Sequence, residues 1–418
     1  MNDKVKMNKI INDPIYGFIS LDKGIIYKLI ENPLFQRLRR ISQLGLSYLV
    51  YPGAYHTRFN HALGCMHLMS KAIAQIRNKG HKITFDEEEA LKISILLHDI
   101  GHGPFSHALE NSIVNNISHE SLSRLFMEKL NNQFNGKLDL AINIFNNKYP
   151  KKFLHQLVSS QLDMDRLDYL KRDSFYTGVT EGNIGSDRII NMLDVINDQL
   201  VIQEKGIHSI EKFLIARRLM YWQVYLHKTV LSFENTLIKI LKRAKKLIKK
   251  GEKISCSKTL NEFLKNDYTI NDFNTNKKLL TLFSKLDDHD IYSCLKNWIN
   301  NKDFVISMLS QSIINRRPLK IIIKDEKFCS EKINSIRKKI SIIYNISKNE
   351  AEYLVFSGKV SNNIYHKNND NNRINILTKN SEIKDITDAS DQFNLSVLNK
   401  TINKYFLCYP KHKLLEND

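Results

Sequence analysis

Histidine side chains are concentrated in one short part of the 418-residue sequence. Eight of the 14 histidines fall between residues 56 and 119, namely His56, His61, His67, His81, His98, His102, His107 and His119. Neutral imidazole binds transition metals and also transfers protons near pH 7, so this concentration could do chemistry. A lone histidine on a helix is more often a satisfied polar residue, and we interpret His56, His67 and His81 in that way.

The adjacent pair His98-Asp99 is the part of this group that best fits a metal site. It ends the apolar run at residues 93–97 and directly precedes Gly101 and Gly103, so both side chains are presented where a helix ends. An imidazole nitrogen beside a carboxylate oxygen suits a borderline divalent metal such as iron, manganese, zinc or cobalt. The dipeptide alone is common, so its significance depends on the residues around it.

Further histidine and aspartate residues flank this pair in a recognisable order. The sequence H…HD…D, filled by His61, His98, Asp99 and Asp165, resembles the metal-binding signature of HD-domain phosphohydrolases. Five more blocks are similar to those of the deoxynucleoside triphosphate triphosphohydrolases in that superfamily: residues 12–17 (NDPIYG), 35–39 (FQRLR), 43–45 (QLG), 51–54 (YPGA) and 165–173 (DRLDYLKRD). The blocks span about residues 8–230, and the rest of the chain shows only faint resemblance.

The resemblance implies a metal centre and a reaction. Four residues would hold iron, manganese, zinc, cobalt or nickel, with Mg²⁺ accompanying the nucleotide: His61, His98, Asp99 and Asp165. The implied reaction is attack at the α-phosphorus of a deoxynucleoside triphosphate, which yields a deoxynucleoside and inorganic triphosphate. His102, His107 and His119 would line the α-phosphate beside Asp99, with His107 as general acid for the leaving 5′ oxygen. A structural role for each of these three histidines is the alternative.

The resemblance also implies residues that bind the substrate. Four would hold the phosphates: Arg58, Arg166, Tyr169 and Arg217. Arginine suits this role because its planar guanidinium pairs with phosphate oxygens bidentately. Gln43 and Asp173 would bond the sugar 3′-hydroxyl. Leu44 and Tyr225 would pack where a ribose 2′-hydroxyl has no partner, which disfavours ribonucleotides.

Two residues near the expected base end of the pocket depart from the family pattern. Tyr221 stands where the family's best-known member has a histidine, and Leu226 stands where it has a glutamine. The metal and phosphate residues are unaffected, but base preference does not carry over from the resemblance.

A regulatory site is implied as well. Nine residues match positions that bind activating nucleotides between subunits in related enzymes: Lys9, Ile10, Asn12, Glu31, Gln36, Arg39, Val50, His227 and Lys228. We therefore expect a homotetramer activated by GTP, dGTP or a dNTP, because cations from several subunits can converge on a triphosphate only after assembly. Glu31 stands where the best-known relative has an aspartate, so guanine specificity is open. The alternative is that Gln36, Arg37 and Arg39 form an ordinary polar helix face.

These residues require a mainly helical scaffold. The pattern over residues 24–235 is mostly helical, with Thr84 and the acidic residues after it predicting a helix start and residues 209–250 predicting one or two long helices. Short strands are predicted at residues 318–323 and 404–409, and a loop at 361–372. The sequence thus predicts an HD-type catalytic domain with an N-terminal regulatory segment over 1–235. A smaller α+β region for assembly or regulation follows over 236–418.

Composition sets broader limits. The net charge of +19 attracts polyanions such as nucleotides or nucleic acid, although a genome biased toward lysine, asparagine and isoleucine would also produce it. Five scattered cysteines without a C-x-x-C pair argue against a disulfide framework and fit a reducing cytosol. No apolar run reaches the length of a membrane span, and the first residues lack the apolar core of a secretory signal. We therefore expect a cytoplasmic protein without a membrane partner.

Two other functions remain open from the sequence. An HD hydrolase could act on a nucleoside monophosphate, a cyclic nucleotide or a guanosine alarmone, since the H…HD…D order is shared by all of them. A protein of a different class could use an HD core for nucleic-acid binding or defence, with nuclease activity. The blocks at residues 43–45 and 51–54 favour the triphosphohydrolase over both.

Overall fold

The computed structural model describes residues 9–21, 23–106, 113–114, 117–362, 365, 373–390 and 401–415. Within these ranges the chain is mainly α-helical and carries three small β-sheets. The prediction of a mainly α fold followed by a C-terminal region that contains strands is confirmed. Among the helices in these ranges, none combines the length and the apolar character that a membrane span requires.

The N-terminal part begins with a β-hairpin, formed by β1 (Lys9–Asp13) and β2 (Gly17–Leu21). The helices that follow are α1 (Ile25–Ile30), α2 (Pro33–Gln36), α3 (Arg58–Asn78), α4 (Phe85–Leu97), α5 (His119–Gln133), α6 (Asp139–Phe145), α7 (Lys152–Val158), α8 (Met164–Thr177), α9 (Ser186–Asn191), α10 (Ile207–Met220) and α11 (Lys228–Lys249). A π-helical turn, Tyr221–Tyr225, separates α10 from α11. The prediction of one or two long helices over residues 209–250 is thereby confirmed.

Helix α4 begins as its sequence indicates. The hydroxyl of Thr84 accepts a hydrogen bond from the backbone N–H of Glu87 (3.2 Å), and the Glu87 carboxylate accepts one from the N–H of Thr84 (2.8 Å). This reciprocal capping satisfies two of the donors that a helix start leaves unpaired. The helix ends at Leu97, so His98 occupies its C-cap position and Asp99 follows directly.

Helix α3 packs against both α4 and α8, and these three helices carry the site. Gly64 lies where α3 approaches α8 most closely, because a Cβ atom at that position would collide with the side chains of Asp168 and Arg172. A glycine is therefore required for those two side chains to reach the interior face of α3.

The C-terminal part contains shorter helices around a sheet. Its helices are α12 (Lys258–Lys265), α13 (Ile270–Thr275), α14 (Lys277–Phe283), α15 (Asp288–Trp298), α16 (Phe304–Ile314), α17 (Ser330–Ile343), α18 (Lys348–Leu354) and α19 (Ile386–Ala389). The antiparallel sheet has the order β5-β9-β6, with strands Lys320–Lys324 (β5), Phe356–Asn362 (β6) and Ile402–Tyr409 (β9). Strands β5 and β9 confirm the two predicted strands. The loop or disordered insert predicted over residues 361–372 begins too early, because Ser361 and Asn362 pair with β9. Apart from Tyr365, the rest of that segment lies outside the described residues.

A second sheet joins segments that are distant in sequence. Its order is β3-β4-β7-β8, with strands Leu193–Ile196 (β3), Gln199–Gln203 (β4), Asn375–Leu377 (β7) and Ile383–Asp385 (β8). Strand β4 pairs in parallel with β7. The division at residues 235 and 236 stays a prediction; helix α11 runs across that point, and this sheet connects both sides.

Candidate active site

The four residues predicted to bind a metal converge at one point. His61 projects from the first turn of α3, His98 and Asp99 follow α4, and Asp165 lies in the first turn of α8. Nε2 of His61 lies 3.0 Å from Oδ1 of Asp165 and 3.6 Å from Oδ2 of Asp99. Nε2 of His98 lies 3.4 Å from Oδ1 of Asp99 and 3.6 Å from Oδ1 of Asp165. Donor atoms at these separations can share one ion at bond lengths of about 2.0–2.2 Å.

Both imidazole rings are oriented for metal binding. Nδ1 of His61 lies 2.7 Å from Oδ2 of Asp168, and Nδ1 of His98 lies 2.6 Å from the carbonyl oxygen of Ile95. Each Nδ1–H therefore has an acceptor, which leaves Nε2 as the lone-pair atom that faces the centre. Nε2 of His98 is buried and has no hydrogen-bond partner among the described residues. This orphaned atom and the donor set around it fit a divalent metal ion.

A chain of buried charges supports His61 from behind. The guanidinium of Arg172 donates two hydrogen bonds to Asp168 (2.8 and 2.9 Å) and a third to Oδ2 of Asp13 (2.8 Å). Although burial opposes ionisation, Arg172 and His61 lower the pKa of Asp168 to about 2. Asp13 ends strand β1 and accepts hydrogen bonds from the N–H groups of Ile15 and Tyr16. The DPIYG block at residues 13–17 is thus connected to the metal site through two side chains.

Sequence reasoning did not identify this supporting layer. Asp168 and Arg172 belong to the block at residues 165–173, but nothing in the spacing shows that Asp168 meets His61. Cys65 is a further addition, because its Sγ lies 3.4 Å from Nδ1 of His61 one turn earlier on α3. The i, i+4 spacing of His61 and Cys65 is the signal that could have found it.

Asp99 lies between the other three predicted metal ligands and a cationic group. Arg58 donates a hydrogen bond to Oδ2 of Asp99, and Nε2 of His102 lies 3.4 Å from Oδ1 of Asp99. Burial works against the Asp99 carboxylate, but Arg58, His98 and His102 hold its pKa well below the usual range. Burial and the neighbouring Arg58 lower the pKa of His102 well below its ordinary value, so this ring is neutral at pH 7. Asp99 is therefore anionic and available to a metal.

The predicted catalytic histidines lie beside this group where they are described. The rings of His102 and His119 stack with centroids 4.0 Å apart and an interplanar angle of 14°. Asp99, His102 and His119 bring their ligand atoms within 4.8 Å of one another. His107, the predicted general acid, lies outside the described residues.

A cavity of about 510 Å³ opens onto the metal site. Its lining includes every residue predicted to bind substrate: Gln43, Leu44, Arg58, Arg166, Tyr169, Asp173, Arg217 and Tyr225. Oε1 of Gln43 and Nε of Arg166 are buried and without hydrogen-bond partners among the described residues. Since an unpaired buried polar atom is costly, both atoms are suited to a polar ligand in this cavity.

Asp173 is fixed by two neighbours in the middle of the cavity wall. Oδ2 of Asp173 accepts a hydrogen bond from the Tyr225 hydroxyl (2.8 Å), and Oδ1 lies 2.7 Å from Nε2 of His56. His56 is thus structural, as the sequence suggested, but it supports a predicted substrate residue. The other two histidines assigned structural roles lie elsewhere, His67 against the ring of Tyr16 and His81 on Asp194.

Three residues of α11 line the cavity without having been predicted. They are Glu234, Asn235 and Ile238, which share one face of the helix. The sequence attracts attention to the basic end of this helix instead, at residues 242–250. An acidic residue and an amide between apolar neighbours at 230–238 are the signal that could have identified this face.

The metal site is also open on a second side. A separate cavity of about 430 Å³ shares Asp99, His119, Asp165 and Arg166 with the first one and is also lined by His98. The rest of its lining is largely polar and includes Arg124, Asn146, Asn147, His155 and Ser159. The ligand group therefore forms part of the wall between two cavities.

The predicted regulatory residues form two surface groups. In the first, the Lys9 ammonium lies 3.0 Å from Oε1 of Glu31, and Nε of Arg39 donates to Oε1 of Gln36 (2.8 Å). Ile10 and Asn12 are exposed on the same strand as Lys9. In the second group, the ring of His227 lies 5.9 Å from that of Tyr51, whose neighbour Val50 is half-buried, and Lys228 is exposed beside it. Their regulatory role stays a prediction.

Comparison with known proteins agrees with this geometry. A model of the HD domain matches residues 58–173, and a model of the HD-associated region matches residues 184–297.

An uncharacterised Bacillus subtilis protein is 32% identical over 424 residues, covering 98% of this chain and 94% of that protein. The deoxynucleoside triphosphate triphosphohydrolase SAMHD1 of Homo sapiens is 30% identical over 266 residues, covering 53% of this chain and 42% of that enzyme. A crystal structure of a phosphohydrolase from Bacteroides thetaiotaomicron superposes with a TM-score of 0.93 at 53% identity, covering 97% and 100% of the two chains. The chain belongs to the HD-domain phosphohydrolase family.

Proposed function

We propose that the protein hydrolyses deoxynucleoside triphosphates to deoxynucleoside and inorganic triphosphate. The observation that carries this proposal is a single cavity lined by Asp99, three arginines and Asp173. It thus combines a metal-binding carboxylate, cations for a polyphosphate and an acceptor for a sugar hydroxyl. The similarity to SAMHD1 supports the same substrate class.

The arginines bind and neutralise the triphosphate. Arg58, Arg166 and Arg217 line the cavity, and Arg166 is itself oriented by an ion pair with the buried Asp163. Three guanidinium groups offset part of the negative charge of a triphosphate, and Mg²⁺ on the nucleotide would offset more of it. The four ligands His61, His98, Asp99 and Asp165 would hold a transition metal, which supplies Lewis acidity at a phosphoryl oxygen and lowers the pKa of water.

We assign His102, His107 and His119 to the α-phosphate. In the proposed step the water oxygen bonds to the α-phosphorus and the bond from that phosphorus to the 5′ oxygen breaks. The 5′ oxygen takes a proton from the general acid, for which His107 is our candidate, and the proton lost by the attacking water restores the acid form of that histidine. Neutral His102 can accept or donate a hydrogen bond at the same phosphate, and stacking against His119 fixes its ring plane.

Polar residues would bind the 3′-hydroxyl of the sugar, and an apolar residue would disfavour a 2′-hydroxyl. Asp173, oriented by His56 and Tyr225, and the unpaired Oε1 of Gln43 are acceptors for a 3′-hydroxyl. Leu44 offers no partner to a 2′-hydroxyl, which would lose its hydrogen bonds to water on binding. We therefore propose that deoxyribose is preferred to ribose.

We further propose that a nucleotide controls activity through assembly into a homotetramer. The two surface groups around Lys9 and His227 each combine cations with an apolar or aromatic neighbour, which suits a nucleotide. The ligand would be GTP, dGTP or a dNTP bound between subunits. Such binding stabilises the assembled state because the complete site exists only there.

Product analysis tests the proposed activity. The purified protein is incubated with each dNTP, with and without GTP, and the products are separated by ion-exchange chromatography. Deoxynucleoside and inorganic triphosphate in equal amounts are expected, and an Asp165→Ala variant should form neither. Formation of dNMP with pyrophosphate, or stepwise loss of single phosphates, would contradict the proposal. Parallel incubation with single-stranded DNA measures any nuclease activity.

A further inference from the structure

The cavity has two chemically different ends. Arg58, Arg166 and Asp99 lie at the end next to the metal ligands. At helix α11 the lining changes to Glu234, Asn235 and Ile238. A nucleotide whose phosphates occupy the cationic end therefore directs its other end toward α11.

The residues between these two ends indicate how a bound nucleotide would be oriented in the cavity. The ring of Tyr169, on the phosphate side, lies 6.1 Å from the ring of Tyr225, which bonds Asp173 at the proposed sugar position. Glu234 follows the start of α11 by six residues, which is about 9 Å of helix. Glu234 and Asn235 are the polar residues that α11 contributes to the wall of this cavity.

Both polar side chains of α11 offer acceptors to the cavity. Glu234 is half-buried and makes no hydrogen bond or ion pair with any residue that the structure describes. The Nδ2 atom of Asn235 donates to the carbonyl oxygen of Leu231 (2.9 Å), which leaves its Oδ1 for other partners. Ile238 supplies an apolar surface one turn further along the same face.

The electrostatic environment agrees with this position. Burial raises the pKa of Glu234 to about 8. A half-buried carboxyl group that lines a cavity without a protein partner gains most from a ligand that donates hydrogen bonds to it.

We propose that Glu234 and Asn235 recognise the nucleobase through its exocyclic amino group, so that adenine, cytosine and guanine are preferred to thymine. This inference rests on the proposed dNTP substrate and adds the residues that select the base. An amino group donates to an acceptor oxygen in either protonation state of Glu234. Thymine presents one N–H between two carbonyl oxygens, and those oxygens face the Asn235 oxygen and an ionised Glu234 carboxylate unfavourably, so the discrimination is largest above pH 8.

Three variants test the assignment. Glu234→Leu removes the acceptor, Glu234→Gln replaces one oxygen by an N–H donor, and Glu252→Leu removes an exposed carboxylate just beyond α11 as a matched control. The kcat/KM values are measured for all four dNTPs. The dissociation constants of dAMP and dTMP are measured by calorimetry, because these ligands carry base and sugar without the triphosphate.

The expected result is a change in the ratio of kcat/KM for the amino-bearing dNTPs to kcat/KM for dTTP. Glu234→Leu should lower kcat/KM for dATP, dCTP and dGTP by about 10- to 100-fold, the range for one lost hydrogen bond to a buried acceptor, and change dTTP by less than about threefold. At pH 8.5, where Glu234 is largely ionised, Glu234→Gln should shift preference toward dTTP, and Glu252→Leu should match the wild type. The dAMP to dTMP affinity ratio should fall in parallel.

Two outcomes would overturn the inference. One is an equal loss for all four dNTPs, which would indicate a purely structural role for Glu234. The other is an unchanged dAMP to dTMP affinity ratio in both Glu234 variants. Failure of the proposed function is recognised separately, because it would appear in the wild type as an absence of inorganic triphosphate while the monophosphate affinities still respond to Glu234.

Discussion

Nδ1 of His61 lies 2.7 Å from Oδ2 of Asp168, and both side chains are fully buried. This contact fixes the ring so that Nε2 faces Asp165 and Asp99. We expect Asp168→Asn to weaken metal affinity by about 10- to 100-fold, because it removes the charge that orients and polarises the imidazole. Titration with a competing chelator measures the change. Asp187→Asn, an exposed carboxylate on Lys71, is the control, and equal affinities in both variants would refute the role of Asp168.

Loss of the ligands should abolish both metal content and hydrolysis. Replacing His98 and Asp99 by alanine removes half of the four predicted ligands, so elemental analysis should find no stoichiometric transition metal. His81→Ala, which breaks a contact with Asp194 outside the site, should retain metal and activity. Circular dichroism checks that both variants are folded. Full turnover by a metal-free double variant would disprove the assignment.

The sugar preference should depend on the ring of Tyr225. The wild type should hydrolyse dATP with a kcat/KM about 10- to 100-fold above that for ATP, because the 2′-hydroxyl is buried without a partner. Tyr225→Ala should lower the ratio of kcat/KM for dATP to kcat/KM for ATP, because it opens space beside the 2′ carbon. Tyr225→Phe keeps the ring and loses only the bond to Asp173, so it should retain most of the ratio. Equal rates for ATP and dATP in the wild type would exclude this mode of selection.

Assembly should depend on Arg39. Its guanidinium lies over the ring of Phe59, 3.6 Å from the centroid, and bonds Gln36 in the first surface group. Light scattering should show nucleotide-dependent tetramers for the wild type and a loss of assembly for Arg39→Ala with metal retained. Arg188→Ala, on an exposed helix outside both groups, should assemble normally. A wild-type monomer whose turnover ignores every added nucleotide would contradict regulation of this kind.

The raised pKa of Glu234 gives the stability a pH dependence of known sign. In the unfolded chain the carboxyl ionises near 4.5, whereas burial keeps it protonated in the folded state up to about 8. The folded state thus binds more protons between these values, and this group lowers the free energy of unfolding as pH rises from about 4.5 to 8. Glu234→Gln should therefore gain stability over the wild type at pH 8.5 relative to pH 5, by about 4 kcal/mol at most. Thermal melts at both pH values, with Glu252→Gln as control, measure the difference.

The four residues predicted to bind a metal could be named from the sequence because the order of His61, His98, Asp99 and Asp165 resembles the HD-domain signature, and the local pattern marks a helix end at His98-Asp99. Thr84 predicted the start of α4, and the glycines after Asp99 predicted its end. The strands at residues 318–323 and 404–409 were found because each is a short apolar run that needs a partner, and each partner proved to be the other.

The remaining features depend on contacts between distant residues. The meeting of His61 with Asp168 spans 107 positions, and Gly64 is required only because Asp168 and Arg172 fill the space beside it. Glu234 was overlooked because the acidic residue and the amide among apolar neighbours at 230–238 are a weak signal, and only the folded cavity shows that Glu234 lines it. The parallel pairing of β4 with β7 could not be predicted either, since two strands of a few residues carry little pattern.

Strand β1 has a mechanical consequence. Lys9 at its start belongs to a surface group, while Asp13 at its end holds Arg172, and the four steps between them span about 13 Å of rigid extended backbone. A displacement of β1 along its axis would therefore shift Lys9 and Asp13 together, and with Asp13 the hydrogen bond to Arg172 that supports His61 through Asp168. A chain that lacked residues up to Asp13 would lose the carboxylate that binds Arg172, and with it part of the hydrogen-bond chain behind His61.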